Sequence, residues 1–490
     1  MREHPYDKLK DHKYEKGILK SPMNQINYIK NYSWKKECFP DFIWIALIIN
    51  YYGRKDAFFR ISGFFKEIEK LSFKLESLQL SYFFSLTEKQ QLEFYEILLK
   101  YINVEVLNPL TIIFKNKNHE IFIESFFKEG ISVEKKLDIL EKVVENFGEN
   151  KSEGGTDVQY VILAFYFSVK KNIHTTENGK HAFEGLYHYQ KTDHNNEKMR
   201  EYRPIVRSMF GGVKYMIYEQ DFEFIKSFWK ELLEIGGCKL VYGKYENNYS
   251  IDENFIEDVK KEFQKLFIEH TESELEDSKF NVILGSSVYA LRILNEIIEC
   301  NLRNNVMGRL SLRTIIEIYI ILKFIHKKEN DKPRLWEDYQ EYGVGKYKLI
   351  LIKAREVNGF ENSHLKPEMV DALVNEQVDE MFTDVDFRYF ENSQIRNKAI
   401  EIGEKELYDL YYDYESNYAH GLWGAVRESA MLKCVNPLHL GHNVPDIQLN
   451  HGLADVLPDA VMVFKKLLLF INENYQLSEE FLSKYEVEND

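Results

Sequence analysis

Apolar residues recur along most of this chain at the three- and four-residue spacing that places them on one face of an α-helix. In residues 88–101, for example, Leu92 and Leu98 fall on the same face. Residues 42–49 are apolar on nearly every side, which predicts a fully buried helix. Only residues 239–249 carry a pattern that favours a short hairpin. The predicted fold class is therefore mainly α, with an N-terminal multi-helical domain followed by a C-terminal helical bundle.

The order of these segments predicts three parts of the chain. Residues 1–32 form a polar, partly ordered lead-in, and residues 33–270 form the N-terminal helical domain. A polar stretch at 270–279 precedes the C-terminal helical bundle of residues 271–490. The 490 residues are enough for two or more domains, and the scarcity of proline (10) and glycine (24) favours long helices over turn-rich β structure.

One strongly apolar helix, predicted over 306–325, carries charged residues on a single face. Arg309, Arg313 and Glu317 are spaced four apart, so their side chains point in the same direction. Burying a charge is costly unless it is paired. Two interpretations stay open: the charges satisfy one another or an adjacent helix, or they line an internal pocket.

A second polar stripe lies on a helix predicted to run without interruption over 405–433. Ser416, His420 and Arg427 fall on this stripe at steps of four and seven residues. A histidine can act as a general acid or base near neutral pH, and an arginine can stabilise negative charge on a phosphate. The alternative is a core histidine that bonds to Ser416 or Glu317.

Cysteine and histidine side chains are the ones that could bind a zinc ion. The four cysteines are far apart in sequence and form no Cys-x-x-Cys pair, which makes a disulfide framework or a cysteine-rich zinc site improbable: Cys38, Cys238, Cys300 and Cys434. A His-x-x-His pair, His439 and His442, lies in a loop with His451 downstream. Zinc binding there needs a third ligand. The sequence therefore assigns no metal site and predicts no cofactor.

Charge and missing motifs exclude several classes of function. The net charge of −15 argues against a protein that coats nucleic-acid backbones, although a local basic groove stays open. No signal peptide and no membrane-spanning stretch is apparent, so a cytoplasmic location is expected. The phosphate-binding P-loop, the dinucleotide-binding glycine motif and the nucleophile elbow are all absent from the sequence.

The paired motifs carry a family resemblance. Arg313-x-x-x-Glu317, followed about a hundred residues later by Ser416-x-x-x-His420, resembles a widespread bacterial domain family of unknown function over roughly residues 280–475. That family is similar in style to the helical HEPN ribonucleases of bacterial defence and toxin systems. Those enzymes place an arginine a few residues before the catalytic histidine, whereas here Arg427 follows His420.

The resemblance implies a function in anti-phage defence or toxicity, with a metal-independent ribonuclease site in the C-terminal bundle. The predicted catalytic residues are His420, Arg427, Arg313 and Glu317, and the predicted ligand-binding residues are Arg309, Ser416, Glu415 and Tyr418. RNA, a phage or host protein and a second copy of the chain are the implied partners, and no membrane is expected.

Two other hypotheses stay open beside the ribonuclease. In one, the same pocket belongs to a non-catalytic module that senses a small ligand or a protein. In the other, Arg313, Glu317 and His420 form a satisfied buried network with no activity. The three differ in whether these side chains meet in a cleft that solvent can reach.

Overall fold

The computed structural model describes residues 12–20, 33–114, 119–169, 177–270, 277–357, 363–376 and 380–487. They form α-helices joined by turns, with a few short strands, so the predicted mainly α class is confirmed. The chain divides into two compact units. Unit 1 comprises Met1–Leu240 and Cys434–His442, and unit 2 comprises Val241–Lys433 and Asn443–Asp490.

Unit 1 begins with a small antiparallel hairpin of β1 (Lys13–Glu15) and β2 (Ile18–Lys20), the described part of the predicted lead-in. The rest of that lead-in lies outside the described residues. Ten α-helices follow among the described residues: α1 Phe39–Tyr52, α2 Arg54–Glu67, α3 Leu80–Ser85, α4 Glu88–Leu98, α5 Glu120–Phe126, α6 Val133–Phe147, α7 Glu153–Val169, α8 Glu177–Tyr189, α9 Met199–Ile217 and α10 Phe222–Ile235. Short 3-10 or π-helical turns cover Trp34–Cys38, Ile68–Lys70, Val104–Val106, Asn108–Ile112 and Pro437–His439.

The core of unit 1 is organised around α1, as its uniformly apolar sequence predicts. Every residue of α1 from Phe39 to Ile49 is buried. Pro40 lies in the first turn, where a missing backbone N–H leaves no hydrogen bond unmade. The one charged residue of this stretch, Asp41, accepts hydrogen bonds from the backbone N–H and the hydroxyl of Ser81 at 2.9 and 2.6 Å. A buried carboxylate is thus satisfied at the start of the helix.

Unit 2 contains ten further α-helices among its described residues: α11 Phe255–His270, α12 Ser278–Glu299, α13 Val306–Lys328, α14 Leu335–Arg355, α15 Pro367–Val374, α16 Ile395–Glu401, α17 Asp413–Ala419, α18 Trp423–Ala430, α19 Leu457–Asn474 and α20 Glu479–Lys484. A π-helix, Leu407–Tyr412, leads directly into α17, and 3-10 turns cover Glu380–Phe382 and Phe390–Asn392. Two strands, β3 (Leu240–Val241) and β4 (Met431–Cys434), cross the division between the units along the sequence. A third strand, β5 (Asn443–Pro445), pairs with β4 in antiparallel orientation.

Helix α13 is the centre of unit 2. It packs against α12, α16, α17 and α19, and its apolar side chains, including Leu312, Ile315 and Ile316, are buried. Helix α11 also contributes Phe255 and Val259 to this core. The division between the units therefore falls at Leu240, one helix before the boundary predicted near residue 270.

Two local predictions differ from the structure. The helix expected over 405–433 is broken after Ala419, where Gly421 adopts a φ of +58°, and the chain becomes strand at Met431. A positive φ is readily adopted by glycine, so Gly421 ends one helix and α18 begins two residues later. The hairpin expected over 239–249 is reduced to the two residues of β3.

None of the helices within the described ranges combines the length and the apolar character that crossing a lipid bilayer requires.

Truncation of a core residue of α13 tests the central role of this helix. Ile316 is fully buried, so Ile316→Ala should lower the free energy of unfolding by about 2–5 kcal/mol because it leaves a cavity. Urea denaturation followed by circular dichroism measures the loss. Ile352→Ala, at a 39% exposed position on α14, is the control and should change stability by less than about 1 kcal/mol. Equal losses in the two variants would contradict the assignment.

Candidate functional site

Helices α13 and α17 lie antiparallel, and the charged face of α13 points at α17 and at the π-helix before it. Arg309, near the start of α13, contacts Glu415 in the middle of α17, whereas Glu317, two turns later on α13, contacts Tyr412, the last residue of the π-helix. Of the second predicted stripe, Ser416 lies in this interface, where its hydroxyl accepts a hydrogen bond from Arg313. The contact therefore joins residues 309–317 to residues 412–416.

A buried ion pair closes one end of this interface. Arg309 Nη1 lies 3.1 Å from Glu415 Oε1, and the two side chains are only 6% and 2% exposed. Arg309 Nη2 also donates to the carbonyl oxygen of Ala454 at 3.0 Å, and its guanidinium lies 5.7 Å from the ring centre of Tyr418. Arg309, Glu415 and Tyr418, predicted to bind a ligand, are instead enclosed in the packed interior.

Burial is the main influence on the pKa of Glu415. It raises the pKa of this carboxyl to about 7, while the neighbouring Arg309 acts in the opposite direction. The free-energy cost of removing the carboxylate from water is larger than the electrostatic stabilisation that Arg309 provides.

A second, partly exposed network surrounds Arg313. Its Nε donates to the Ser416 hydroxyl at 3.2 Å, its Nη2 donates to the Tyr412 hydroxyl at 2.5 Å, and its Nη1 lies 3.3 Å from Glu317 Oε2. The Tyr412 hydroxyl in turn donates to Glu317 Oε2 at 2.9 Å. The guanidinium also lies over the Tyr412 ring, 4.6 Å from its centre. Arg313 is held in place by three residues on two helices.

The network reaches solvent through Glu317. This residue lines a cavity of about 1160 Å³ formed by α12, α13, α14 and the segments around 382–398. Lys398 lines the same cavity; it is 1% exposed and donates to the carbonyl oxygens of Phe390, at 2.6 Å, and Ser393. Burial lowers the pKa of Lys398 to about 8, and Glu391 and Glu317 oppose that shift. Glu317 therefore belongs both to the Arg313 network and to the wall of a cavity that is large enough for a small ligand.

The predicted catalytic pair His420 and Arg427 is not brought together on one stripe. His420 ends α17 and its side chain is exposed; within the described part of the chain no partner lies in hydrogen-bonding distance of the imidazole. Arg427 lies on α18, beyond the turn at Gly421, and Nη1 donates to the carbonyl oxygen of Met431 at 2.8 Å. The predicted stripe through Arg427 is therefore wrong, because it required an unbroken helix.

Two residues that sequence reasoning missed hold this region together. Tyr412 bridges Arg313 and Glu317, and it lies four residues before Ser416. The spacing Tyr412, Ser416, His420 was visible as a stripe in steps of four and could have identified it. Lys398 could not have been found in this way, because its burial depends on the fold of residues 390–398.

The three histidines of the downstream loop, His439, His442 and His451, do not all belong to the same unit. His451 belongs to unit 2 and accepts a hydrogen bond from the Gly243 backbone N–H at 2.7 Å. His439 and His442 belong to unit 1, where they lie beside two cysteines. The expectation that the cysteines stay apart is thus wrong for one pair, Cys238 and Cys434, which tertiary structure brings together.

This interface lies within the part of the chain that is similar to a known protein family. The family described as "Family of unknown function (DUF5677)" matches residues 280–434, which run from α12 to β4. That stretch is similar to an uncharacterised domain family. The match includes Arg309, Arg313 and Glu317 and their partners on the π-helix and α17. No curated protein and no solved structure matches the chain.

The raised pKa of Glu415 predicts a pH dependence of stability. Between the ordinary value of 4.5 and about 7, the folded chain holds a proton on Glu415 that the unfolded chain has released. The stabilisation is complete below pH 4.5 and is lost as the pH rises through 7. The free energy of unfolding, measured by urea denaturation at pH 5 and pH 7, should therefore fall with pH more steeply in the wild type than in Glu415→Gln.

The slope with pH, not the absolute stability, is the quantity to compare. Glu415→Gln also replaces the carboxyl group beside Arg309 with an amide that does not titrate, which changes the stability by an amount that does not depend on this proton. Glu296→Gln, at an exposed position of α12, is the matched control and should keep the wild-type slope. An unchanged slope in Glu415→Gln would show that other groups cause the dependence.

Proposed function

We propose that unit 2 is a non-catalytic binding module whose cavity takes a small, positively charged organic ligand. The observation that carries this proposal is the charge of the cavity wall. Seven carboxylates but only three basic side chains line it among the described residues. A cavity of this composition attracts cations and disfavours phosphates.

The three basic side chains of the wall are already engaged. Lys332 pairs with Glu391, Arg388 lies 2.9 Å from Asp386, and the ammonium group of Lys398 donates to two backbone carbonyls. They neutralise part of the wall but offer little to an anionic ligand.

Several carboxylates remain for a ligand. No basic side chain of the described residues lies within ion-pair distance of Asp338, Glu376 or Asp384. Glu317 contributes a further carboxylate, which Arg313 and Tyr412 hold in position. A ligand with one or more amino groups would supply the cations that these acids lack.

Aromatic rings complete the wall. Tyr339 and Tyr342 both pack against Phe390, with ring centres 5.2 and 5.5 Å apart, and Tyr347, Phe382 and Tyr389 also line the cavity. The faces of aromatic rings attract ammonium and guanidinium groups. Acids and aromatic rings together are typical of sites for organic cations.

A ligand panel tests this function. Thermal unfolding of the full chain is measured at constant ionic strength with a polyamine, a quaternary ammonium compound, a nucleoside triphosphate and magnesium chloride. The organic cations should raise the unfolding temperature, because a ligand at a hundred times its Kd stabilises the folded state by about 2.7 kcal/mol. Asp338→Asn should weaken that shift, and Glu296→Gln should retain it.

The opposite pattern would overturn the proposal. It fails if the triphosphate stabilises the chain and the organic cations do not, or if magnesium alone reproduces the shift. It also fails if Asp338→Asn and Glu296→Gln respond equally, because the binding would then lie outside the cavity.

A second candidate function is the metal-independent ribonuclease in anti-phage defence or toxicity that the HEPN-like resemblance implies. The observation in its favour is His420, whose exposed imidazole lies one turn beyond Ser416 on the stripe that holds Arg313. His420 would act as the general acid or base. Against it, Arg309, Arg313 and Arg427 all have protein partners, so phosphate binding would need them to exchange those contacts.

RNA cleavage in the presence of EDTA tests this candidate. The wild type should cleave single-stranded RNA and slow the growth of cells that express it, whereas His420→Ala should lose both effects. His364→Ala, at another exposed histidine, is the control. Cleavage that survives His420→Ala, or a wild type that cleaves no RNA, would exclude the ribonuclease.

A further inference from the structure

A second cluster of chemically active side chains lies in unit 1. Two cysteines and two histidines place one ligand atom each within 4.8 Å of all the others: Cys238, Cys434, His439 and His442. Two hundred residues of sequence separate the first from the rest, so only the fold assembles them.

The distances in this cluster match the geometry of a metal site. Cys238 Sγ lies 3.3 Å from His442 Nε2 and 3.6 Å from His439 Nδ1, and Cys434 Sγ lies 3.4 Å from the same Nδ1. Around a tetrahedral zinc ion with Zn–S of about 2.3 Å and Zn–N of about 2.0 Å, sulfur and nitrogen ligands are about 3.5 Å apart. These three sulfur–nitrogen distances therefore match tetrahedral zinc, and all four atoms lie within 4.8 Å of one another.

The local fold holds three of the ligands in place. Leu438, between the two ends of the loop, is fully buried in the core of unit 1. The backbone N–H of Cys434 donates to the carbonyl of His442 at 3.0 Å, which closes the loop. Asn436 Nδ2 donates to the Gly237 carbonyl at 2.8 Å and fastens the loop beside Cys238. The ligands are held by a packed core and by hydrogen bonds outside the cluster.

His439 supplies an independent observation. Its side chain is 3% exposed, its Nδ1 faces the two sulfurs, and its Nε2 is buried without a hydrogen-bond partner in the described structure. Sulfur is only a weak hydrogen-bonding group, so the ring is poorly satisfied by the protein alone. Gly236 also leaves room for it, since a Cβ there would lie 2.9 Å from Nε2. A metal ion bound to Nδ1 would give this buried imidazole the strong partner that two thiol groups do not provide.

We propose that these four side chains bind a single structural zinc ion. Two thiolates and two imidazoles are a ligand set that favours zinc in tetrahedral geometry, whereas magnesium and calcium prefer oxygen ligands. Four protein ligands leave no open position, so the ion stabilises the fold and takes no part in chemistry.

The zinc ion would hold together two segments of unit 1 that are far apart in sequence. Cys434–His442 belongs to unit 1, although the residues before and after this segment belong to unit 2. Cys238 follows α10 and the other three ligands lie on the returning segment. The ion thereby fastens the returning segment to the end of α10.

A disulfide is the competing explanation for the paired cysteines. An S–S bond requires a separation of about 2.05 Å and excludes the sulfurs as zinc ligands. All four cysteines of the chain are free thiols in the structure. The histidines on both sulfurs are explained by a metal site and not by a disulfide.

Metal analysis of the full chain, purified without chelator and with any affinity tag removed, tests the site. Inductively coupled plasma mass spectrometry should find about one zinc per chain in the wild type. Cys434→Ser and His442→Asn should each lose most of it. Cys300→Ser and His364→Asn, at an exposed thiol and an exposed imidazole outside the cluster, should retain it.

A spectroscopic measurement on the wild type avoids variants that fail to fold. After removal of zinc by a chelator, Co²⁺ should bind at one equivalent and give the intense visible absorption of tetrahedral cobalt with thiolate charge transfer. The chelator should also lower the unfolding temperature of the wild type and of Cys300→Ser.

Three outcomes would overturn the proposal. The first is a folded wild type without zinc whose cobalt spectrum is not tetrahedral. The second is zinc retained at the wild-type level by Cys434→Ser or His442→Asn, which would place the ion elsewhere. The third is a Cys238–Cys434 disulfide, detected by mass spectrometry of unreduced peptides.

Discussion

The ion pair between Arg309 and Glu415 is the contact on which the arrangement of unit 2 depends. Helix α13 is apolar enough to be the centre of a core, yet it carries an arginine where that core is closed. An unpaired buried guanidinium is too costly to retain, so α17 must lie where its glutamate can meet the arginine. This requirement fixes the antiparallel packing of the two helices, and the contacts of Arg313 follow from it.

The same packing separates the polar residues into two kinds of environment. Arg309 and Glu415 are enclosed and pair with each other, although Arg309 Nε and Glu415 Oε2 have no hydrogen-bond partner among the described residues. Arg313 and Glu317 lie one and two turns further along α13, where the interface opens towards a cavity. A buried pair limits which register the helices can adopt, while a carboxylate at a cavity can still meet a ligand. Binding chemistry is therefore expected at Glu317 and not at Arg309.

Buried polar groups of this chain are stabilised in two ways. Opposite charges on neighbouring helices compensate each other in both units, as for Arg309 with Glu415 in unit 2 and Arg54 with Asp157 in unit 1. In unit 1, soft sulfur and nitrogen atoms converge at the end of α10 with few hydrogen bonds among them, and a metal ion is the partner that fits their chemistry. Both arrangements join segments that are far apart in sequence.

The sequence by itself determined the helical class, the buried character of α1 and α13, and the face that Arg309 and Glu317 share, because helical periodicity is a local property. It did not determine where the helix after residue 405 ends, since Gly421 can adopt either helical or left-handed backbone. Only the tertiary structure decided that Tyr412 bridges the charges and that Cys238 meets Cys434, because such contacts depend on how distant segments pack.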